Sequence, residues 1–174
     1  MMSLGDVTGP RFGPEQIIQN AVAALEGRHE GGYAKGVAAY DAWREALLGV
    51  TKSDIAGMKD TMFGNYYLCV CNGEPLNCLS DGRKYAHRYF TQLAQEHPEQ
   101  PLYAEIAKQF GRITEILRKK MARAMGGTEP CGRRQKKALA RRGVRRKIAG
   151  YIGDMKAADE RALALMKELL EAAR

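Results

Sequence analysis

From Pro101 to its end the chain repeats its apolar residues every three or four positions, a spacing that a helix buries on one face and a strand does not. Leu102, Ile106, Phe110, Ile113, Leu117 and Met121 share one register. Val144, Ile148, Ile152, Met155, Ala162, Met166 and Leu169 share a second. Gly126-Gly127-Thr128-Glu129-Pro130 breaks the chain between them, as Gly and Pro do. The second register predicts a helix from about Arg134 to Ala173, roughly 60 Å long unless Gly143, Gly150 or Gly153 bends it. Two long helices joined by so short a break pack as an antiparallel hairpin.

The upstream sequence reads the same way. Gly13-Pro14-Glu15 is a helix start, and Ile17, Ile18, Ala21, Val22 and Leu25 form a stripe that Gly27 ends. A second helix is expected from about Tyr33 to Gly49, with Val37, Tyr40, Trp43, Arg44 and Leu47 on one side. Ser53-Asp54 is placed to cap a short third helix through Ile55, Met58 and Met62. Residues 65–73 carry the aromatic and β-branched residues of a strand, but a lone strand has no partner here, so a buried helix or an irregular segment is expected. Leu79, Ala86, Tyr89, Phe90 and Leu93 mark a further helix, closed by His97-Pro98. The expected fold is an all-α bundle of five or six helices ending in the long antiparallel hairpin. It forms a single domain over residues 13–174, behind a flexible leader at 1–12. Its expected core contains Ile17, Leu25, Tyr40, Leu47, Phe90, Ile106, Ile113, Ile148, Ile152, Met155 and Met166.

At 174 residues the chain is long enough for one domain with a sizeable core. No apolar run approaches the roughly 18–20 residues that span a bilayer. The chain does not open like a secretory signal, so its four cysteines are expected as reduced thiols in the cytoplasm.

The charge is concentrated. Arg133 to Lys147 holds nine Lys or Arg and no acid, in a chain of 28 bases and 20 acids. With Arg118, Lys119, Lys120 and Arg123 the stretch 118–147 holds thirteen bases against Glu129, a net +12, and the rest of the chain is −4. The hairpin brings both basic segments to one end of the bundle. The first sits where a helix dipole favours cations, and the second where it disfavours them by about 0.3–1 kcal/mol each. A cation placement that costs stability points to a docking role, set against the bland alternative of a solvated face. The candidate partner-binding residues are Arg118, Lys119, Lys120, Arg123, Arg133, Arg134, Lys136, Lys137, Arg141, Arg142, Arg145, Arg146 and Lys147. An acidic protein is the favoured partner. Nucleic acid is the alternative, bound without sequence preference, because no base-reading signature accompanies the charge. A membrane-surface role is disfavoured, since the apolar face of the last helix is needed for packing. The oligomeric state is open.

No residue set reads as an active site, and no activity or cofactor is expected. Cys69-x-Cys71, Cys78 and Cys131 lack the paired knuckles of structural zinc sites, so buried thiols are expected rather than a metal site. Cys78 and His87 lie nine residues apart, too far for a dyad on one helix. Tyr33, Tyr40 and Trp43, joined by Tyr66, Tyr67, Tyr85 and Tyr89, are core residues or the walls of a ligand pocket. In the pocket reading Asp81 and Arg83 stand at its mouth; in the core reading Asp81-Gly82-Arg83 caps the start of a helix.

Two stretches carry a resemblance. Gly31-Gly32-Tyr33-x-x-Gly36-x-x-x-Tyr40-x-x-Trp43-x-x-x-Leu47 and Asn77-Cys78-Leu79-x-Asp81-Gly82-Arg83-x-x-Ala86-x-x-Tyr89-Phe90 resemble the C-terminal helical region of the butirosin biosynthesis protein H family. That family joins a papain-like cysteine domain to an α-helical region. The likeness runs over nearly all of this chain through short motifs, mostly packing residues. The family's catalytic Cys and His belong to its N-terminal domain, so the resemblance transfers no catalytic role to Cys69, Cys71, Cys78 or His87. It implies an accessory helical domain whose partner is a papain-like domain or an acidic, carrier-protein-like one.

Overall fold

The computed structural model describes residues 12–27, 34–57, 74–126 and 133–172. The expectations for Tyr33, Met58, Met62, residues 65–73, Cys69, Cys71 and Cys131 fall outside these residues. In chain order the elements are α1 (Pro14–Glu26), a 3-10 turn (Gly36–Ala38) leading into α2 (Ala39–Gly49), α3 (Lys52–Gly57) and α4 (Glu74–Glu96). Then come α5 (Leu102–Glu115), a π-helical turn (Ile116–Met121) running on into α6 (Ala122–Met125), α7 (Arg133–Leu139) and α8 (Arg142–Ala172). The described residues form an all-α bundle with no strand. Helix α8 is its axis: α1, α2 and α5 lie on it, and α4 packs against α5. The α5–α8 pair is antiparallel, as two points along it show, and the helices that continue it, α6 and α7, meet at its end. Tyr103 and Leu170 line one depression, Arg112 faces Asp154 at 3.9 Å, and Gly126 approaches Arg134.

The described residues form seven helical rods, and the helix expected from about Arg134 to Ala173 is cut in two at Ala140 and Arg141. The apolar register explains the cut. Ala138 and Leu139 are buried, and an unbroken helix would turn Arg142 and Gly143 to the same side. The break leaves both exposed. The Arg141 N–H bonds back to the Ala138 carbonyl, and the Arg141 carbonyl receives the N–H of Val144 and of Arg145 to start α8. Gly143, Gly150 and Gly153 lie within α8 without ending it.

The π-turn follows from sequence too. Ile113, Leu117, Met121 and Met125 are all buried and four apart. An α-helix would carry such a row about 40° further round at each step. An i→i+5 turn takes up the extra residue and returns Met121 and Met125 to the core.

Most of the expected core is found, with Ile106, Ile113, Ile152, Met155 and Met166 wholly or almost wholly enclosed. Ile17 is a correction: it is half-buried, and Ile18 is the buried residue. Ile18 and Leu25 stand two turns apart, so α1 turns only this narrow row fully inward. The third helix is capped by Thr51 rather than by Ser53-Asp54. Thr51 Oγ1 accepts the Asp54 N–H at 3.1 Å and the Asp54 carboxylate accepts the Thr51 N–H at 2.7 Å, a reciprocal capping box. Those bonds hold the Asp54 carboxyl below its ordinary pKa. Asp81-Gly82-Arg83 is not a helix start either, since α4 begins at Glu74.

Glycine is obligatory at two places. Gly27 and Gly36 have φ of 55° and 59°, and a Cβ on either would lie within 3.0 Å of backbone belonging to the other's strand of chain. The exit from α1 and the entry to the 3-10 turn are thereby pinched together.

Candidate functional site

Two of the singled-out polar residues, Tyr40 and Arg83, meet, with a third that the sequence reading passed over. Asp159, on α8, is completely buried. Its Oδ2 accepts the Tyr40 hydroxyl at 2.7 Å. Arg83 reaches it from α4, with Nε at 2.9 Å from Oδ1 and 3.1 Å from Oδ2, and Nη2 at 2.6 Å from Oδ2. One carboxylate thus ties α2, α4 and α8 together. Burial, and then the Asp159 charge, push the Tyr40 phenol far above its ordinary pKa. Burial works against the Arg83 guanidinium, but its bonds to Asp159 and the charge there outweigh this and leave its pKa raised. Phe110 lies beneath Arg83, 5.8 Å from ring centre to guanidinium carbon, within cation–π range.

Of the residues expected to line a ligand pocket, Tyr40 and Arg83 are engaged in this cluster. Tyr40 is buried, Trp43 is partly buried against the core, and Asp81 is exposed and outside the cluster. Tyr85 is exposed as well. Tyr89 joins Phe90, Phe110 and Tyr103 in an aromatic stack between α4 and α5. Tyr33 is outside the described residues. A depression of about 170 Å³ lies among Glu15, Ile18, Gln100, Tyr103, Leu169, Leu170 and Ala172. It is smaller than the roughly 300–1,000 Å³ of ordinary ligand sites, and none of Tyr40, Trp43, Asp81 and Arg83 lines it.

His87 is also committed to packing. Its Nδ1–H donates to the Ala107 carbonyl at 2.8 Å, and a Cβ on Gly111 would press on the ring at 3.2 Å. Cys78 is a free, exposed thiol, contrary to the expectation of a buried one. Among the described residues no group of three or more His, Cys, Asp or Glu is placed to hold a metal ion.

The basic residues collect at the end of the bundle where α6 meets α7. Arg118, Lys119, Lys120, Arg123, Arg134, Lys137, Arg141, Arg142, Arg146 and Lys147 are all exposed there. No acid lies among the described residues of 118–147. Glu115, just outside, pairs with Lys119 at 3.6 Å. Lys136 is half-buried, and the Arg133 side chain is outside the described set.

Arg145 is the correction to the expected surface. It is 5% exposed, and its Nη1 donates to the carbonyls of Leu139 at 2.7 Å and Ala140 at 3.2 Å. It caps the carbonyl end of α7 and braces the elbow before α8, so it takes no part in the exposed patch. Both buried charges carried a signal in the sequence. Asp159 is four residues from Met155 and three from Ala162, and Arg145 is three from Ile148, so each stands in a core register.

Family models, curated proteins and solved structures were all compared with the chain, and none matches it.

Proposed function

We propose that this protein is a non-catalytic helical docking domain that binds an acidic protein through its basic pole. The observation that carries the reading is the pole itself: ten exposed cations at one end of the bundle, with no acid among the described residues between 118 and 147. Six of the ten are arginines, whose guanidinium forks suit carboxylates. The distribution of the other polar groups supports binding over catalysis. Tyr40, Arg83, Asp159 and His87 all make hydrogen bonds within the bundle.

Among the described residues no helix is long and apolar enough to cross a membrane. The proposal sets the protein in the cytoplasm, following the reading of its cysteines as reduced thiols. The resemblance to the butirosin biosynthesis protein H family suggests which partners to try first, a carrier-protein-like domain and a papain-like domain.

The test is titration of the labelled chain with an acidic carrier-protein domain, and separately with duplex DNA, at about 50 mM salt and again at higher salt. Saturable one-to-one binding to the protein, lost in the Arg141→Glu/Arg142→Glu/Arg146→Glu variant, is the expected result. Length-dependent binding to DNA alone, with a steep salt slope, would replace the acidic protein by nucleic acid. Failure of every acidic probe at low salt would reduce the pole to a solvated face.

A further inference from the structure

We propose that a second copy of this chain packs antiparallel along the outer side of α8, making a twofold dimer. Helices α1, α2 and α5 lie on α8, whose buried row runs from Ile148 to Leu169. At about 100° per residue, the side turned away from that row carries Gly143, Gly150, Ala157 and Ala164. All four are exposed and stand seven residues apart, so they follow one side of the helix with a drift of about 20° at each step. No side chain in this row is longer than a methyl group. Glycine inside a helix costs stability relative to alanine, and nothing within the chain calls for these two. A Cβ at Gly143 or Gly150 would meet no atom within 4 Å, and neither glycine has a positive φ. What a row of such small residues does permit is the close approach of another backbone.

The charges beside the row select the occupant and its direction. Lys147, Asp154, Arg161 and Glu168 also stand seven apart and alternate in sign. The midpoint of Lys147 and Glu168 is also the midpoint of Asp154 and Arg161, between Ala157 and Ala158. Two copies of α8 laid antiparallel about that point set Lys147 against Glu168 of the second copy, and Arg161 against Asp154 of the second copy. Each pair is then made twice, as a twofold contact requires. A parallel alignment in register would set every charge against its own kind. Lys147, Arg161 and Glu168 are exposed and form no ion pair among the described residues. Asp154 is half-buried and faces Arg112 at 3.9 Å. A pair so long and so open to water contributes little, and it leaves the carboxylate able to accept Arg161 of the second copy. Of the ten exposed cations of the basic pole this contact uses Lys147 alone, so it does not rest on the docking reading.

The experiment is sedimentation equilibrium of the full chain over the micromolar range, at about 50 mM salt, where surface charges are only partly screened. A monomer–dimer equilibrium is the expected result. Gly150→Gln/Ala157→Gln puts two long side chains of good helix propensity into the row and should raise the dissociation constant at least about tenfold. Lys147→Glu sets like charges against each other and should weaken the dimer by about the same factor. Lys147→Glu/Glu168→Lys exchanges the two charges and should bring the constant back to within about twofold of the unaltered chain. All four positions are exposed, and circular dichroism checks that each variant stays folded.

A chain that remains monomeric throughout the range would overturn the inference. So would a dimer that Gly150→Gln/Ala157→Gln leaves as tight as before, since its interface would lie elsewhere. Failure of the exchanged pair to restore what Lys147→Glu loses would refute the antiparallel register. Binding of an acidic carrier-protein domain is read separately, so the docking reading and this one can fail independently.

Discussion

Replacing Arg83 with Met should be the most destabilising single change to the three-helix tie at Asp159. The Asp159 carboxylate is wholly enclosed, while the Arg83 side chain is 22% exposed. Removing the guanidinium leaves a buried charge with only the Tyr40 hydroxyl for company and no route to water. Breaking a buried pair in this way costs about 3–5 kcal/mol, and the full enclosure of Asp159 puts the expected loss near the upper end. Asp159→Ala should cost less, about 3 kcal/mol, because Arg83 can turn its free edge to solvent. The residual cost there is the orphaned Tyr40 hydroxyl and the small cavity. Tyr40→Phe removes one donor to a carboxylate that keeps its arginine, worth about 1.5 kcal/mol. The double change Arg83→Met/Asp159→Leu removes both charges and fills the space with apolar atoms. It should return to within about 1.5 kcal/mol of the unaltered protein. Urea unfolding at neutral pH, followed by circular dichroism at constant m-value, gives all four numbers. The reasoning fails if Arg83→Met costs less than about 1 kcal/mol, or if the two single losses simply add in the double variant.

Two further outcomes separate structural from surface residues. Arg145→Ala should destabilise by about 1–3 kcal/mol, because it strips two carbonyls at the elbow of their donor, whereas Arg142→Ala should stay within about 0.5 kcal/mol; similar losses in urea unfolding would contradict the burial of Arg145. Gly36→Ala should cost more than about 1 kcal/mol from its left-handed backbone alone, with a further loss from contact with the carbonyl of Leu25, and a thermal midpoint equal to that of the unaltered protein would contradict the pinched neck.

The butirosin-like stretches acquire a physical meaning in the fold whatever their origin. Tyr40, Leu47 and Phe90 are buried, and Trp43, Ala86 and Tyr89 pack against the core. Arg83 is bonded to Asp159. Gly36 is where the chain passes the end of α1. These residues of the two stretches act in packing and in the backbone turn.

The sequence by itself determined the helical class, the position of most helices and the presence of a concentrated basic stretch. These are one-dimensional properties: an apolar period of three to four residues needs only its own neighbours to specify a helix and its inner face. It also held, unread, the two charges in core registers, Arg145 and Asp159. Only the tertiary structure decided what those charges do. Tyr40 and Arg83 lie 119 and 76 residues from Asp159, and no local pattern selects one carboxylate among twenty acids as their common partner. Nor could charge density alone distinguish Arg145 from Arg146. Helix geometry turns adjacent side chains about 100° apart, so at the elbow one faces the carbonyls of α7 and the other faces water.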